Sequence, residues 1–434
     1  MKKRLLALLL TVCMILSLAP AVAATESDNV TAEPVEETVP AVTEEISAEA
    51  PAEADIDLPA AAQSDLTGLG TAESPFLITS VEDLKAFRDA VNGGTSYEGQ
   101  FVRLTADIDL NNEAWTPIGT ASAPFLGSFD GNDCTISNLT VSSDMHAAGN
   151  AGLFGYIGTW SKAAGTIIGI TLENITVACT ATSAGNVGAL ADVAHADIYD
   201  IQVRNATISG RVEVGGLVGN ATTGSIHHCS VINTTITGGY GRVGGITGQG
   251  YCEIDDCYVD VDLTAAWAAG GIIGLCNTCK ITNNYVTGTL TADKDYGEDY
   301  KIGGIVGILN ESNNQTITNN YCDATVTNFE HSTVKYFPII GMYNVGNTTA
   351  ENMVDLSGNS WNRDIFDTDS LDLVGLDFDT TVVRDNNLIA IESDLEYVDA
   401  TSMDDVTILD YSDDVPEFIP VDTDTVTALV LENS

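Results

Sequence analysis

The amino-acid sequence predicts an all-β fold: a parallel β-helix (solenoid) with an N-terminal cap that contains one short helix. Three observations lead to this prediction. A glycine-rich segment recurs through the middle of the chain, and a second segment of alternating apolar and polar residues separates its copies. Both segments are dense in Gly, Thr, Val, Ile and Asn, which disfavour helices and mostly favour strands and turns.

The glycine-rich segment begins with one or two glycines, continues with an aliphatic residue and one further residue, and closes with a glycine, as in Gly215-Gly216-Leu217-Val218-Gly219. Its copies occupy residues 151–155, 214–219, 243–248, 269–274 and 302–307, with degenerate copies at 187–191 and 338–342. Successive closing glycines from Gly219 onward are 29, 26 and 33 residues apart, a period that suits one turn of a solenoid. The glycines of the repeat are Gly152, Gly155, Gly216, Gly219, Gly245, Gly248, Gly271, Gly274, Gly304 and Gly307.

The second segment is six residues long. Positions one, four and six are mostly apolar, whereas positions two, three and five are mostly polar or aromatic. We expect position four to point inward and position five outward, as alternation along a strand requires. The copies begin at Ile136, Ile198, Ile226, Ile254, Ile281 and Ile317.

Short strands repeated at this period must bury their apolar side chains against neighbouring copies. Stacking equivalent positions about 4.8 Å apart closes the backbone hydrogen bonds between coils and leaves a continuous dry interior. A β-propeller is the main alternative, but it normally needs about 40 to 50 residues per blade and a blade-specific aromatic signature. Neither occurs in this sequence.

The first residues have the order of a secretory signal peptide. Residues 1–24 begin with Lys2, Lys3 and Arg4, continue with an apolar run and end in small residues, which is the order that signal peptidase substrates share. A retained membrane anchor is the alternative, disfavoured because the run is shorter than the roughly 20 residues of a membrane span. We expect no membrane span after signal removal.

A spacer, a cap, the repeats and a tail follow the signal peptide. Residues 25–65 are acidic and rich in Ala, Pro and Glu, so we predict a disordered linker. Residues 66–145 are the predicted N-terminal cap and opening coil, with a helix that begins after Ser80 and places Leu84, Phe87 and Val91 on one face. Residues 146–349 form the repeat β-helix, and residues 350–434 are an acidic C-terminal cap or tail.

The chain is strongly acidic. It has 16 Lys and Arg against 62 Asp and Glu, a formal net charge of −46. This charge makes nucleic acid and anionic membranes poor partners, because it reverses the sign of the phosphate attraction. Calcium is the cation it would attract, and no other cofactor is expected. The favoured interpretation, however, is that the acids only keep an extracellular protein soluble.

The repeats resemble those of the GLUG-motif proteins, secreted bacterial proteins named for a glycine-leucine-any-glycine core. The Gly-Gly-Leu and Gly-Gly-Ile segments match that core, and the Asn-Asn-Tyr and Asp-Cys-Tyr sequences resemble the family's Asn-Cys-Tyr. The likeness extends over about residues 66–345, including 115–119 and 125–132. It implies a right-handed, pectate-lyase-like parallel β-helix. The family mostly lacks an assigned activity, so the likeness informs fold more than function.

Some relatives in the family carry metallopeptidase or surface-anchoring modules. This sequence has no His-Glu-x-x-His, and we find no sortase-type terminus.

Tyr258, Tyr285 and Tyr321 occupy position five of three consecutive coils. An outward position five would give an exposed tyrosine ladder, and flat rings beside amides and carboxylates suit sugars. A purely structural stack is the alternative. The polar residues that we expect to flank the ladder are Asp256, Asn283 and Asn319.

The cysteines allow two kinds of pairing. Cys252 and Cys279 lie two residues before the Ile that opens successive copies, and Cys134 has the same offset. Stacked neighbours fall within the Cα separation of roughly 4.4 to 6.8 Å that a disulfide needs, so Cys252 and Cys279 are a predicted disulfide. Cys229 and Cys257 share position four, and either pair could instead be a reduced inward stack.

A zinc site is the less favoured interpretation of the later cysteines. Cys252 and Cys257 would face opposite sides of an alternating strand, which opposes their convergence on one ion with Cys276 and Cys279. No metal site is predicted.

For function, we expect a secreted or cell-surface protein, a non-catalytic adhesin or glycan-binding or ligand-binding rod whose partner is a glycan or a host or microbial surface protein. No catalytic residue is assigned. The first alternative is a carbohydrate-active enzyme: a glycoside hydrolase would need two facing carboxyls, and a polysaccharide lyase a basic residue in a groove. The second alternative is a structural spacer. Residues bearing on the enzyme alternative are Asp255, Asp256, Asp260, Asp262, Arg211, Arg242, His227 and His228.

Overall fold

The protein is a right-handed parallel β-helix, seen in a computed structural model. The structure describes residues 66–142, 151–179, 185–292, 301–310, 315–328, 336–344, 354–355, 358–361 and 374–376. The predicted signal peptide and linker, and most of the predicted C-terminal cap or tail, lie outside these ranges.

A helix, α1 (Val81–Asn92), stands near the N-terminal end of the described residues. Ser80 is its N-cap, accepting a hydrogen bond from the backbone N–H of Asp83 at 3.2 Å. The Asp83 carboxylate accepts from the Thr79 hydroxyl at 2.6 Å, which lowers the pKa of Asp83. Leu84 and Val91 are buried on the predicted face. The cap helix is therefore confirmed.

The first and largest sheet contains 20 strands within the described residues. They are β1 (Phe76–Ile78), β2 (Phe101–Leu104), β3 (Ile108–Asp109), β4 (Ser128–Ser137), β5 (Thr140–Ser142), β7 (Ile167–Glu173), β8 (Thr176–Ala178), β11 (Ile198–Arg204), β12 (Thr207–Gly210), β15 (Ser225–His227), β16 (Ser230–Gly238), β19 (Glu253–Asp255), β20 (Tyr258–Ala265), β23 (Lys280–Thr282), β24 (Tyr285–Ala292), β27 (Gln315–Thr318), β28 (Tyr321–Cys322), β29 (Thr325–Asn328), β32 (Val354–Asp355) and β33 (Ser360–Trp361).

Two smaller sheets complete the coils. The second sheet is formed by β6 (Phe154–Ile157), β10 (Ala191–His195), β14 (Val218–Thr223), β18 (Thr247–Gly250), β22 (Ile273–Cys276), β26 (Val306–Asn310), β31 (Ile340–Asn344) and β34 (Val374–Leu376). The third sheet is formed by β9 (Asn186–Val187), β13 (Glu213–Gly215), β17 (Arg242–Gly244), β21 (Ala268–Gly270), β25 (Lys301–Gly303) and β30 (Tyr336–Phe337).

Each full coil follows the same path. The chain passes through the third sheet, turns at the glycine-rich segment into the second sheet, and then enters the first sheet, as in β13, β14, β15 and β16. Each strand pairs in parallel with its equivalent one coil later, for example Val214 with Val243 and Ser230 with Tyr258. The repeat predicted from the sequence is therefore one coil.

The glycine corner, where the third sheet turns into the second, leaves no room for side chains. A Cβ on Gly216 would lie closer than 3.0 Å to the carbonyl oxygen of Gly245 in the next coil, and a Cβ on Gly245 would meet Gly271 in the same way. A Cβ on the closing Gly219 would meet the backbone nitrogen of Val187. Glycine recurs here because backbone packs directly against backbone.

The aliphatic residue that follows the glycines forms the core. Leu217, Ile246 and Ile272 are fully buried. The Leu217 N–H donates to the Ile246 carbonyl at 3.0 Å, and the Ile246 N–H donates to the Ile272 carbonyl at 2.9 Å. These residues lie directly over one another in one continuous apolar column.

Aromatic rings fill the N-terminal end of this column. Phe87 of α1 packs edge-on against Phe125, with ring centroids 5.4 Å apart. Phe125 and Phe129 in turn contact Phe154 of the next coil, at 5.6 and 5.5 Å. The helix thus joins the core of the first coils through its aromatic side chain.

One copy of the second segment was aligned wrongly from the sequence. Ile198, Ile226, Ile254, Ile281 and Ile317 share one register, as predicted. Ile136, however, pairs with Leu172, and Leu172 pairs with Val203, which is position six of its copy. Cys134 accordingly pairs with Ile170 and does not share the place of Cys252 and Cys279.

Candidate ligand-binding face

The three predicted tyrosines form a stacked ladder on the first sheet. Tyr258 begins β20, Tyr285 begins β24 and Tyr321 begins β28, and the strand register pairs them in that order. The ring centroids of Tyr258 and Tyr285 are 5.3 Å apart at an interplanar angle of 8°, and those of Tyr285 and Tyr321 are 5.1 Å apart at 25°. Position five of each copy is therefore aligned along the axis.

The ladder is only partly open to solvent. All three side chains are half-buried, and the ring faces within the stack cover one another. Burial raises the pKa of each phenol above its usual value, and the nearby Asp323 carboxylate raises it further. The Tyr321 hydroxyl is buried, with no hydrogen-bond partner in the described part of the chain. The ladder therefore presents neutral ring edges.

The residues predicted to flank the ladder form a bend in the first sheet. Asp256, Asn283 and Asn319 have left-handed φ angles of 51°, 59° and 57°, which Asn and Asp tolerate better than most residues. We call this column of position-three residues the first bend. It lies two residues before each tyrosine, so the structure places the predicted polar groups beside the ladder. Its further members are Gly169, Asp200, His228 and Gly358.

The side chains of the first bend bond to neighbouring coils. The Asn283 amide donates to Asp255 at 2.9 Å. The His228 Nε2 lies 3.2 Å from the Asp256 carboxylate. The hydrogen bond to Asp256, with the charges of Asp200 and Asp255, raises the pKa of His228.

A buried asparagine ladder lies directly behind the first bend, and sequence reasoning missed it. The Asn284 amide donates to the Asn320 side-chain oxygen at 2.9 Å, and the Asn320 amide donates to that of Asn359 at 2.9 Å. The same oxygens accept the backbone N–H groups of Asn284 and Asn320 at 3.1 and 2.9 Å. Available signals were the Asn-Asn pairs at 283–284 and 319–320, where Asn replaces the inward cysteine of earlier coils.

The acidic residues considered for hydrolysis have other contacts. Asp255 accepts hydrogen bonds from Thr282 and Asn283, and its carboxylate lies 3.7 Å from Nδ1 of His227. The ring of His227 stacks on Tyr199 at 5.2 Å. Asp260 lies on β20, where burial raises its pKa and the charge of Asp262 raises it further.

The two arginines considered for a lyase lie away from the tyrosines. Arg242 belongs to β17 of the third sheet, forms an ion pair with the buried Glu213 and lies over the Trp267 ring at 5.1 Å. Burial raises the pKa of Glu213, and the charge of Arg242 opposes that shift. Arg211 lies over the Tyr240 ring at 5.9 Å. Neither arginine is on a strand that carries the ladder.

The predicted disulfide between Cys252 and Cys279 is wrong. Cys279 is bonded to Cys276, whose Cα is 5.9 Å away across the short loop between β22 and β23. This local loop brings two cysteines within bonding range inside one coil, and a sulfur can form only one such bond. Cys252 stays a buried thiol with its pKa raised to about 12. The disulfide also removes Cys276 and Cys279 from any zinc site.

Cys229 and Cys257 are both buried thiols at the inward position four. Burial raises the pKa of Cys257, and its contact with the Cys229 thiol raises it further. The reduced-stack interpretation of this pair therefore fits the structure.

In the described ranges, no three His, Cys, Asp or Glu side chains come together in a way that could hold a metal ion. Among the same residues, no helix is long and apolar enough to cross a membrane.

Comparison with known proteins identifies the repeat. The GLUG motif family matches residues 210–237, which span one glycine corner and the coil around it. The chain is 32% identical over 165 residues to Halomucin of Haloquadratum walsbyi, a match that covers 36% of this chain and 2% of that protein. The resemblance to GLUG-motif proteins is thereby confirmed.

Two solved structures resemble the fold. One, called IgA1 Protease, has a TM-score of 0.47 at 19% identity and covers 66% of this chain and 21% of its own. The other, a candidate immunoglobulin A1 protease from Bacteroides ovatus, has a TM-score of 0.39 at 22% identity and covers 56% of this chain and 85% of its own. The parallel strand register between successive coils establishes the fold.

Proposed function

We propose that the protein is a secreted or cell-surface rod that binds a glycan on its first sheet without transforming it. The observation that carries the proposal is the in-register alignment of Tyr258, Tyr285 and Tyr321 beside the first bend. A row of equivalent groups repeated at each coil suits a ligand that itself repeats. The β-helix supplies rigidity, because each coil is bonded to both neighbours.

The chemistry beside the ladder supports a polar, uncharged ligand. Exposed amides at Asn283 and Asn319 can donate to and accept from hydroxyl groups. The net charge of −46 opposes binding of polyanions such as nucleic acid or uronic-acid polymers. A calcium ion that bridges ligand and acids is part of the proposal and is tested with it.

The experiment uses the full chain and a panel of host and microbial glycans, with and without calcium. The test variant is Asn283→Gly with Asn319→Gly, which removes the exposed amides and keeps the left-handed backbone. We expect binding by the wild type and roughly tenfold weaker binding by this variant, as loss of one to two hydrogen bonds predicts.

The matched control is Asn205→Gly with Asn233→Gly. These asparagines have φ angles of 53° and 48° in another bend of the first sheet, away from the tyrosines. Unchanged binding by the control is expected. The proposal would be contradicted if no glycan of the panel bound, or if both double variants lost binding equally. Absence of binding to the whole panel would favour the spacer alternative. Release of shortened products from a bound glycan would establish the enzyme alternative instead.

A further inference from the structure

Two exposed aromatic rings meet at a corner of the β-helix away from the tyrosine ladder. Trp160 is 67% exposed and follows β6, whereas Tyr251 is 41% exposed and lies between β18 and β19. Both positions are where the second sheet passes into the first. Single exposed apolar residues are ordinary, whereas these two exposed rings contact each other and form one small apolar surface.

The Trp160 ring packs against a buried polar side chain as well as against Tyr251. The Trp160 ring packs edge-to-face against Tyr251, with centroids 5.7 Å apart, and against His195 at 5.4 Å. His195 is buried, and its Nδ1 lies 2.6 Å from the Thr222 hydroxyl of the next coil. Burial lowers the pKa of His195 and favours a neutral imidazole. We call Trp160, Tyr251 and His195 the corner platform.

The turn that carries Trp160 does not need a tryptophan. Thr159 and Lys162 exchange backbone hydrogen bonds at 2.7 and 3.0 Å, and the Thr159 and Ser161 hydroxyls lie 3.3 Å apart.

A second hairpin is built in the same way from the sequence Thr-Ala-Ser-Ala. Thr120 and Ala123 exchange backbone hydrogen bonds at 3.0 and 3.1 Å, and the Thr120 and Ser122 hydroxyls lie 3.2 Å apart. Ala121 fills the position that Trp160 fills in the later hairpin. The indole is therefore present for its own contacts and not for the turn.

We propose that the corner platform binds a neutral pyranose residue of a glycan. An exposed indole offers the flat apolar surface on which a sugar ring stacks, and the nearby hydroxyls of Thr159 and Ser161 can bond to sugar hydroxyls. Two rings are far too small for a protein interface, which buries about 800 Å² per partner. The acidic chain disfavours anionic sugars.

This inference rests on the proposed function in one respect, that the ligand is a glycan, but the site is separate from the ladder. The probes are neutral hexasaccharides of β-1,4-linked glucose, mannose and galactose, with a hexamer of galacturonate as the anionic comparison. Binding by the full chain is followed through tryptophan fluorescence and by calorimetry. Of the four tryptophans, Trp115 and Trp361 are buried, Trp267 is half-buried beneath Arg242, and Trp160 is exposed. Loss of the fluorescence change in Trp160→Ala would therefore assign the signal to Trp160.

The test variant is Trp160→Ala, with Tyr240→Ala as the control because Tyr240 is an exposed ring at another corner. We expect a neutral hexasaccharide to change the fluorescence, Trp160→Ala to weaken its binding at least tenfold, and Tyr240→Ala to leave binding unchanged. The Ala121 hairpin predicts an unchanged melting temperature for Trp160→Ala. The galacturonate hexamer should bind more weakly than the neutral probes.

The outcomes separate the two proposals. Loss of binding in Asn283→Gly with Asn319→Gly, but not in Trp160→Ala, would overturn the corner platform and leave the ladder proposal intact. Loss only in Trp160→Ala would support the platform and overturn the ladder as the site. If no neutral probe binds, or if galacturonate binds more tightly, the platform is overturned.

Discussion

The glycine corner and the first bend turn the same chain by different physical means. At the glycine corner, residues such as Gly216 and Gly245 are required because a Cβ would overlap the backbone of the next coil. At the first bend, the backbone is left-handed but the side chains are exposed at the surface, so Asp200, His228 and Asn283 all occur. Steric overlap therefore limits which residues fit at the glycine corner, whereas the left-handed backbone conformation limits them at the first bend.

This difference determines where the chain can vary. A backbone-to-backbone contact favours glycine, so the glycine corner repeats as a recognisable motif. The two degenerate copies depart from it, with Ala189 at the position of Gly216 and Pro338 at the position of Gly304. A left-handed bend admits Gly, Asn, Asp and His at modest energetic cost. Exposed chemistry can therefore change from coil to coil at the first bend while the fold stays the same.

The largest effect is expected from Gly245→Ala. The added Cβ would overlap the carbonyl oxygen of Gly271 and the Val259 side chain, and the stacked backbone cannot move away. We expect a loss above about 4 kcal/mol in the free energy of unfolding, or no folded protein. Chemical denaturation measures the change.

Gly239→Ala is the control for this substitution. Its Cβ would lie 3.6 Å from the Gly210 carbonyl oxygen, an ordinary contact. A change within about 0.5 kcal/mol is expected at such a site. Equal destabilisation by the two substitutions would show that glycine at the corner has some reason other than overlap.

The next largest effect is expected from Asn320→Leu, behind the first bend. The substitution removes the acceptor for the Asn284 amide and backbone N–H and the donor to the Ile281 carbonyl, all buried. A loss of about 2 to 4 kcal/mol in unfolding free energy follows, because each unsatisfied buried group costs roughly 1 to 3 kcal/mol. Asn319→Gly, one residue away and exposed, should be nearly neutral, and a neutral Asn320→Leu would refute the ladder's role.

A smaller effect distinguishes conformation from side-chain bonding at the first bend. Asn283 has a φ of 59°, where alanine costs about 1 to 2 kcal/mol and glycine does not. We expect Asn283→Ala to be less stable than Asn283→Gly by about that amount in parallel thermal unfolding experiments. Equal stabilities would mean that the amide's bond to Asp255, and not the backbone, sets the preference.

The smallest effect is a pH dependence at His228. Its pKa is raised, chiefly by its hydrogen bond to Asp256, so its stabilising contribution is complete below the unfolded pKa of about 6.5 and is lost as pH rises through the folded value. The group is exposed, so we expect well under about 1 kcal/mol.

The control for this effect is His228→Asn, which suits the left-handed backbone. Comparing the unfolding free energies of wild type and variant at pH 5.5 and pH 8 isolates the histidine, because His195 is present in both. The wild type should be more stable than the variant at pH 5.5, and this difference in unfolding free energy should shrink at pH 8. A difference that grows with pH would contradict the raised pKa that we infer for His228.

The sequence was most informative at positions where packing strongly restricts which residue fits. Gly216, Leu217 and Gly219 were placed correctly because a Cβ on either glycine would overlap the neighbouring backbone, and because the core requires an aliphatic residue between them. Ile136 was misaligned because the first sheet has other left-handed bends, and Asn138 in one of them fits the same pattern as Asn319 in the first bend. Alternation alone could not tell the bends apart.

The candidate site was only partly predictable. The tyrosine alignment followed from the period, but the stacking that covers the ring faces depends on the coil spacing. The predicted disulfide was wrong because stacking between coils is not the only way to bring two cysteines together: the four-residue loop from Cys276 to Cys279 does so within one coil. Trp160 carries no repeat signal, so only the folded chain brings it onto His195 and Tyr251.

The central claim is that equivalent residues of successive coils lie directly over one another in one filled column. Methyl–methyl nuclear Overhauser effects in a specifically labelled sample test it most directly. Leu217 should show a cross-peak to Ile246, and Ile246 to Ile272. Absence of both, or methyl groups of these residues that respond to a soluble paramagnetic agent, would contradict the account.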